Sequence, residues 1–432
     1  MKRLVSTFFV LALMLSANAF AQVWVYKGIF PPKDTLKTNT GVQFVTVDPD
    51  GKIWIAPYRT NGDSLFVPDS NKSFLVRPVV VYNPDGTLWK KILGVTVGGK
   101  LIPLYNSKYG IATDNNGNIL VNDYDNLVRI NYKTGEGMNF INPGISALCC
   151  PAVDANGNIY LAPVLPSHPV VIYGPDFSFL GNAVDTMMNY GRWMTVSPDG
   201  NTLYIPRFDQ KLMRIYHRTD EFSPYVLQDT VLSGAMIESG TWDPIDKGKL
   251  WLSVSSFFDP GLGAFAGREG SWLEFDPTNW TVKDSIKWQF FTPGDPNERP
   301  RGIAFSNDGK DAYVACFGSS DFPPVETFHN DRVNGIQVEK NNGVIDNYSL
   351  SQNYPNPFNP TTKISFAVAK TGFVTLKVYD MLGRLTSTLV NEEMPSGKFS
   401  VDFDASRLAS GTYIYQLSAN GVTISKKMIL LK

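Results

Sequence analysis

From Phe44 the chain alternates apolar and polar residues, turns through Asp-Pro-Asp-Gly and alternates again, FVTVDPDGKIWIAPY. The pattern returns as GIATDNNGNILVNDY from Gly110, PAVDANGNIYLAP from Pro151, MTVSPDGNTLYIP from Met194, TWDPIDKGKLWLSV from Thr241 and GIAFSNDGKDAYVAC from Gly302. A period of two puts one face of each run against a core. A tight turn between twisted strands needs positive φ, which Gly, Asn and Asp supply most cheaply, so each copy predicts a β-hairpin. Another apolar pair around a polar turn follows each hairpin, from VVVYNPDGTLWKKI after the first to GIQVEKNNGVID after the last. The expectation is six units of four strands with turn glycines at 51, 117, 157, 200, 248 and 309. Radial repetition in a β-propeller buries both faces of such small sheets and leaves only short edges, and blades repeat every roughly 40 to 50 residues once insertions are allowed for. Seven blades is the alternative count. The segment QVWVYKGIF, Gln22 to Phe30, precedes the first unit and is expected to give the last blade its outer strand, closing the ring.

After Asn347 the four-strand unit stops. KISFAVA, FVTLKVYDM, RLTSTLVNE, KFSVDFDAS, GTYIYQLSA and VTISKKMILL alternate as strands of a small, Ig-like antiparallel β-sandwich, making the whole chain all-β. Between the two patterns stands SQNYPNPFNP. Proline fixes φ, extends the preceding residue and lacks a donor, so this stretch is expected to be a semi-rigid spacer. The expected division is a leader over 1–21, a propeller over 22–346, a proline-rich linker and domain entry over 347–362 and a sandwich over 363–432.

GIATDNNGNILVNDYDNLVRI resembles an NHL-type repeat, and residues 22 to 346 resemble the six-bladed superfamily that includes NHL proteins, the gluconolactonase and regucalcin group and streptogramin lyases. The C-terminal wording is more specific. YPNPFNPTTKISF (Tyr354, Pro355, Asn356, Pro357, Phe358, Asn359, Pro360), VYDMLGR (Tyr379, Asp380, Gly383), LASGTYIYQL (Gly411, Tyr413) and KKMILLK (Lys427) occur in order, and the region from about Tyr348 resembles the type A C-terminal sorting domain of proteins exported by the type IX secretion system of Bacteroidota-like bacteria. That resemblance implies passage through the periplasm, recognition by the outer-membrane secretion machinery, handling by a sorting peptidase and delivery to the cell surface or medium.

Composition agrees with export of a folded protein. Of 432 residues, 43% are hydrophobic and 18% charged, enough apolar content for a large core. The formal charge is −1 and no cluster of five Lys and Arg occurs, which removes nucleic acid as a partner. Lys2 and Arg3, an apolar run from Leu4 to Leu15 and the small residues Ala19 and Ala21 make a secretory signal peptide. That run falls short of the roughly 20 residues a membrane span needs, so the mature chain is expected to have no transmembrane segment. Cys149, Cys150 and Cys316 are too few for a disulfide framework and read as buried thiols, with a vicinal Cys149–Cys150 disulfide as the alternative. His168, His217 and His329 are too scattered for a zinc site, and no metal site is expected.

Candidate chemistry sits where each second strand leaves its sheet: Arg59, Asp123, Asp125, Arg207, Asp209, Ser255 and Asp321, with Phe257, Phe258 and Phe322 on long neighbouring loops. Asp123 also reads as an ordinary turn cap. Two functions follow. One is a non-catalytic surface propeller that binds a small molecule, a glycan or a protein. The alternative is a hydrolase or lyase at the channel mouth, of the gluconolactonase or streptogramin-lyase kind. Only the gluconolactonase kind implies a cofactor, a Ca2+ held in the channel by Glu, Asn and Asp. No Glu aligns with the first unit for that role, and no histidine matches the lyase position.

Overall fold

The computed structural model describes residues 24–31, 36, 41–58, 62–187, 190–257, 260–318, 322–330, 337–339, 347–394, 396–406 and 408–432. The expected signal peptide lies outside them. The described chain is all-β, with six four-stranded antiparallel sheets before residue 331 and two more after it. Each of the first six contains one hairpin copy. Their inner strands are Val42–Val47, Lys108–Thr113, Ala152–Val153, Thr195–Val196, Gly240–Trp242 and Arg299–Phe305. The hairpins return through Ile53–Pro57, Ile119–Asp123, Ile159–Leu161, Thr202–Arg207, Leu250–Ser255 and Asp311–Phe317.

The turn chemistry is explicit. Asp48 Oδ1 accepts the N–H groups of Asp50 and Lys52 at 2.9 Å, and Asp114 and Asp154 repeat this two and four residues on. The side chain thus caps a loop whose glycine has φ near +80°. The next residue links sheets: Asn115 Nδ2 donates to Asp154 O at 2.7 Å, and Asn307 Nδ2 donates to Asp48 O at 2.9 Å. The second bond joins the sixth sheet to the first across 259 residues of sequence. Inner strands converge so closely there that a Cβ on Gly302 would lie 2.6 Å from Phe44 Cα. Glycine is required by that approach.

Trp24–Ile29 pairs with Val325–Asn330 as the outer strand of the sixth sheet, so the N-terminal segment closes the ring. The rest of that sheet departs from expectation. Residues 335–346 were expected to supply its outer pair, but Val325–Asn330 is its third strand, and Gln337–Glu339 pairs with Gly397–Asp404 in the C-terminal unit. The strand was hidden within an apparent loop because VETFHN follows two prolines, yet Val325 and Phe328 are buried. The long insertion after Tyr58 likewise holds a hairpin of its own, Ser64–Val67 with Lys72–Leu75.

The C-terminal unit is a sandwich of two four-stranded sheets whose inner faces share one core, including Ile364, Val368, Val374, Leu376, Tyr415 and Leu417. The proline stretch is part of this unit rather than a spacer. Leu350, Asn353 and Phe358 are buried, and the Tyr354–Pro355 and Asn356–Pro357 peptides are cis. The polar groups around the prolines are used: Tyr354 pairs with Lys363, Phe358 N–H donates to Ile429 O at 3.0 Å, and Asn356 Oδ1 accepts the Ile429 N–H at 2.9 Å. The other motif residues fix the same structure. Asp380 Oδ1 accepts the N–H groups of Leu382 and Arg384 around Gly383, Tyr413 Oη donates to Ala409 O at 2.8 Å, and Lys427 O accepts Gln352 Nε2 at 2.7 Å. Tyr379 pairs with Ile414, and Gly411 begins the strand opposite Leu430. Pro360 O accepts Ala405 N–H at 2.9 Å.

Two buried carboxyl groups sit between the fifth and sixth sheets. Glu298 accepts Trp288 Nε1 at 2.7 Å and the N–H groups of Phe291 and Thr292. Nearby Glu326 has only the Gln289 N–H on Oε2, at 3.2 Å, while its buried Oε1 has no hydrogen-bond partner. Burial, with the Glu298 charge added, pushes Glu326 up to about 9. Cys149, Cys150 and Cys316 are free, buried thiols; burial raises all three.

Candidate functional site

The central channel has two chemically different ends. All inner strands begin at one face, where the second strands end; the hairpin turns lie at the other. A cavity of about 270 Å³ occupies the half nearer the turns, lined by residues from all six inner strands, among them Thr46, Thr113, Ala152, Thr195, Thr241 and Ala304. Its lining carries no charged side chain. At the opposite mouth, charged groups and aromatic rings from several sheets meet one another.

At that mouth a chain of contacts crosses five sheets. Arg192, from the fourth sheet, and Arg301, from the sixth, both hold the buried Glu238 carboxylate of the fifth, Arg301 at 3.1 Å. The Arg192 guanidinium lies 3.6 Å from the Phe208 ring, and that of Arg301 lies 4.7 Å from the Phe317 ring. Phe317 meets Tyr58 of the first sheet at 5.1 Å, Tyr58 meets Tyr109 of the second at 5.5 Å, and Tyr109 meets Tyr124 at 5.6 Å. The Tyr58 and Tyr109 hydroxyls are 3.1 Å apart. All four rings are half-buried.

Beside the tyrosines, Lys108 and Asp123 form a buried ion pair, with Lys108 Nζ also donating to Asn106 O at 2.8 Å. Lys108 and Asp123 are opposite one another in the second sheet's register, so the hairpin itself brings the charges together. Burial pulls Lys108 below the ordinary lysine range, and Asp123 opposes that pull.

The expected residues that the structure describes lie at this face but take different parts. Asp123 is the buried partner of Lys108 rather than a turn cap. Asp125 Oδ1 accepts Ala147 N–H at 3.2 Å, bracing a connection, and Asp209 is exposed. Arg207 is 1% exposed; Nη2 reaches Tyr216 Oη at 3.3 Å, while Nε and Nη1 have no hydrogen-bond partner among the described residues. Ser255 is buried, its Oγ likewise without a partner among them. Phe257 packs 4.3 Å from Phe290, and Phe322 is buried near Trp288, so both serve packing. Arg59, Phe258 and Asp321 fall outside the described residues. Sequence reasoning missed Lys108, Tyr109, Arg192, Glu238 and Arg301, which precede or begin the inner strands, because the search followed the exits of the second strands. Tyr58 and Tyr124 ended two of the hairpin copies and were passed over.

Among the described residues no three His, Cys, Asp or Glu side chains converge as metal ligands. The two carboxylates in the arc, Asp123 and Glu238, are already neutralised by Lys108 and by two arginines, a donor set that does not fit Ca2+.

Residues 352–431 match the family described as Secretion system C-terminal sorting domain. The chain is exported by the type IX secretion system to the cell surface or medium. Among the described residues no helix is long and apolar enough to cross a membrane. No curated protein matches the sequence. Among solved structures, a hydrazine synthase from Kuenenia stuttgartiensis is similar at 13% identity and a TM-score of 0.42, over 65% of this chain and 75% of that one. A luciferin-regenerating enzyme is similar at 12% and 0.47, over 70% and 95%, and a chain of a mitotic checkpoint complex at 10% and 0.41, over 69% and 94%. None of these likenesses bears on what this chain binds.

Proposed function

We propose that this chain is an exported six-bladed, NHL-like β-propeller that binds an extracellular ligand at the mouth where its inner strands begin. A leader over residues 1–21 is removed, the secretion machinery recognises the C-terminal unit, and a sorting peptidase processes it. The arc from Arg192 through Glu238, Arg301, Phe317, Tyr58 and Tyr109 to Tyr124 carries this reading: five sheets send contacting side chains to one place. A structural core would bury such rings completely, whereas these remain partly exposed and are flanked by ion pairs at both ends. The hydrolase or lyase alternative has less support, since the acids and bases in the arc are committed to one another.

A photo-crosslinking amino acid placed at Tyr109 in producing cells is expected to yield a discrete adduct at the cell surface. The same residue at Asn116, on the turn face, is expected to yield none. Equal adducts from both positions, or none from Tyr109, would contradict the reading.

A further inference from the structure

From the mouth's geometry we infer that its ligand is an oligosaccharide, an inference that rests on the binding role just proposed. Phe317, Tyr58, Tyr109 and Tyr124 follow one another at 5.1, 5.5 and 5.6 Å, drawn from three neighbouring sheets. Their interplanar angles of 89°, 81° and 46° make a faceted ribbon in place of a flat stack. Such a ribbon offers ring faces and edges along a curve longer than any single sugar. The Tyr58 and Tyr109 hydroxyls, 3.1 Å apart, stand on the ribbon itself, and the buried ion pairs of Arg301 with Glu238 and of Lys108 with Asp123 flank its ends.

A pyranose has that alternation of surfaces: apolar C–H faces that stack on aromatic rings and a rim of hydroxyls that take hydrogen bonds from fixed polar groups. Competing ligand classes need features absent among the described residues of the mouth. An extended peptide docks by adding to a free strand edge or by filling alternate side-chain pockets, and a lipid needs continuous aliphatic surface. The arc presents tyrosines and ion pairs instead. Tyr and Phe also lose little rotamer freedom on binding, which suits weak, repeated contacts along a polymer. The cavity at the channel's other end shares no lining residue with the ribbon, so the sugar is placed across the mouth and not along the axis.

The test is binding of the full mature chain to an array of neutral and acidic oligosaccharides, followed by titration of the best binder at several chain lengths. Affinity is expected to rise from the disaccharide to the tetrasaccharide. Tyr58→Ala and Tyr109→Ala are each expected to weaken binding about tenfold. Tyr354→Ala, in the sorting unit, controls for unspecific loss and should change nothing. Binding to no oligosaccharide, affinity independent of length, or unchanged affinity in both tyrosine variants overturns the inference. Circular dichroism and the melting temperature of the variants separate a lost contact from a lost fold. Should the Tyr109 crosslinker capture a protein while no glycan binds, the mouth remains a binding site and only the ligand class fails.

Discussion

Replacing Lys108 by Met is expected to cost about 3–5 kcal/mol of stability, because it leaves the Asp123 carboxylate buried without its cation. Asp123 is 1% exposed, and its remaining contact to Asn106 Nδ2 is long, at 3.4 Å. Met fills much of the lysine stem's volume, so the loss reports charge and not a void. The double variant Lys108→Met/Asp123→Leu should recover most of the loss, since a buried pair replaced together by apolar groups is often neutral. Urea denaturation of all three proteins measures the cycle. Loss of less than about 1 kcal/mol in the single variant would show that Asp123 is solvated or has another partner.

Glu326 gives an effect of similar size with the opposite sign. Its folded-state carboxyl is raised from 4.5 to about 9, so between those values the folded protein holds a proton that the unfolded chain releases. The stability associated with this group is complete below pH 4.5 and declines as pH rises towards 9, at about 1.4 kcal/mol per unit. By pH 8 the accumulated cost is on the order of 5 kcal/mol. Glu326→Gln cannot ionise and keeps an acceptor for the Gln289 N–H. It is expected to match the natural protein near pH 5 and to exceed it by several kcal/mol at pH 8. Thermal melts of both proteins across this range check the point. A constant gap between them would mean that Glu326 titrates alike in both states.

Most of the fold was legible because each unit states its own local rule. The turn in DPDGK needs an acceptor at Asp48 and positive φ at Gly51, and both are written in adjacent residues. The leftover QVWVYKGIF also announced a strand lacking a partner, and Trp24–Ile29 found one. What misled was context. Three prolines suggested a spacer, but Asn356 and Phe358 spend their polar groups on Ile429, a partner about 70 residues away that local propensity cannot show. VETFHN was lost for a similar reason: Phe328 is buried between sheets five and six and Val325 between sheets six and one, not by their sequence neighbours.

The site was legible by face and not by residue. Second-strand exits lie at the same end of the channel as the arc, and Asp123 belongs to its ion-pair network. The arc itself is a property of the ring. Tyr58 and Phe317 are separated by almost the whole propeller sequence and touch because the ring closes. Arg192, Glu238 and Arg301 come from three different sheets, so no spacing in the chain marks them as a unit.

Hydrogen–deuterium exchange of the full mature chain, with and without saturating amounts of the best-binding oligosaccharide, tests the mouth as the binding site most directly. The account predicts slowed exchange at residues 106–110, 122–126, 236–240 and 299–303, with no change at the hairpin turns 48–52, 114–118 and 154–158. Protection of those turns, with the mouth segments unchanged, would place the ligand in the uncharged cavity at the other end of the channel and contradict the account.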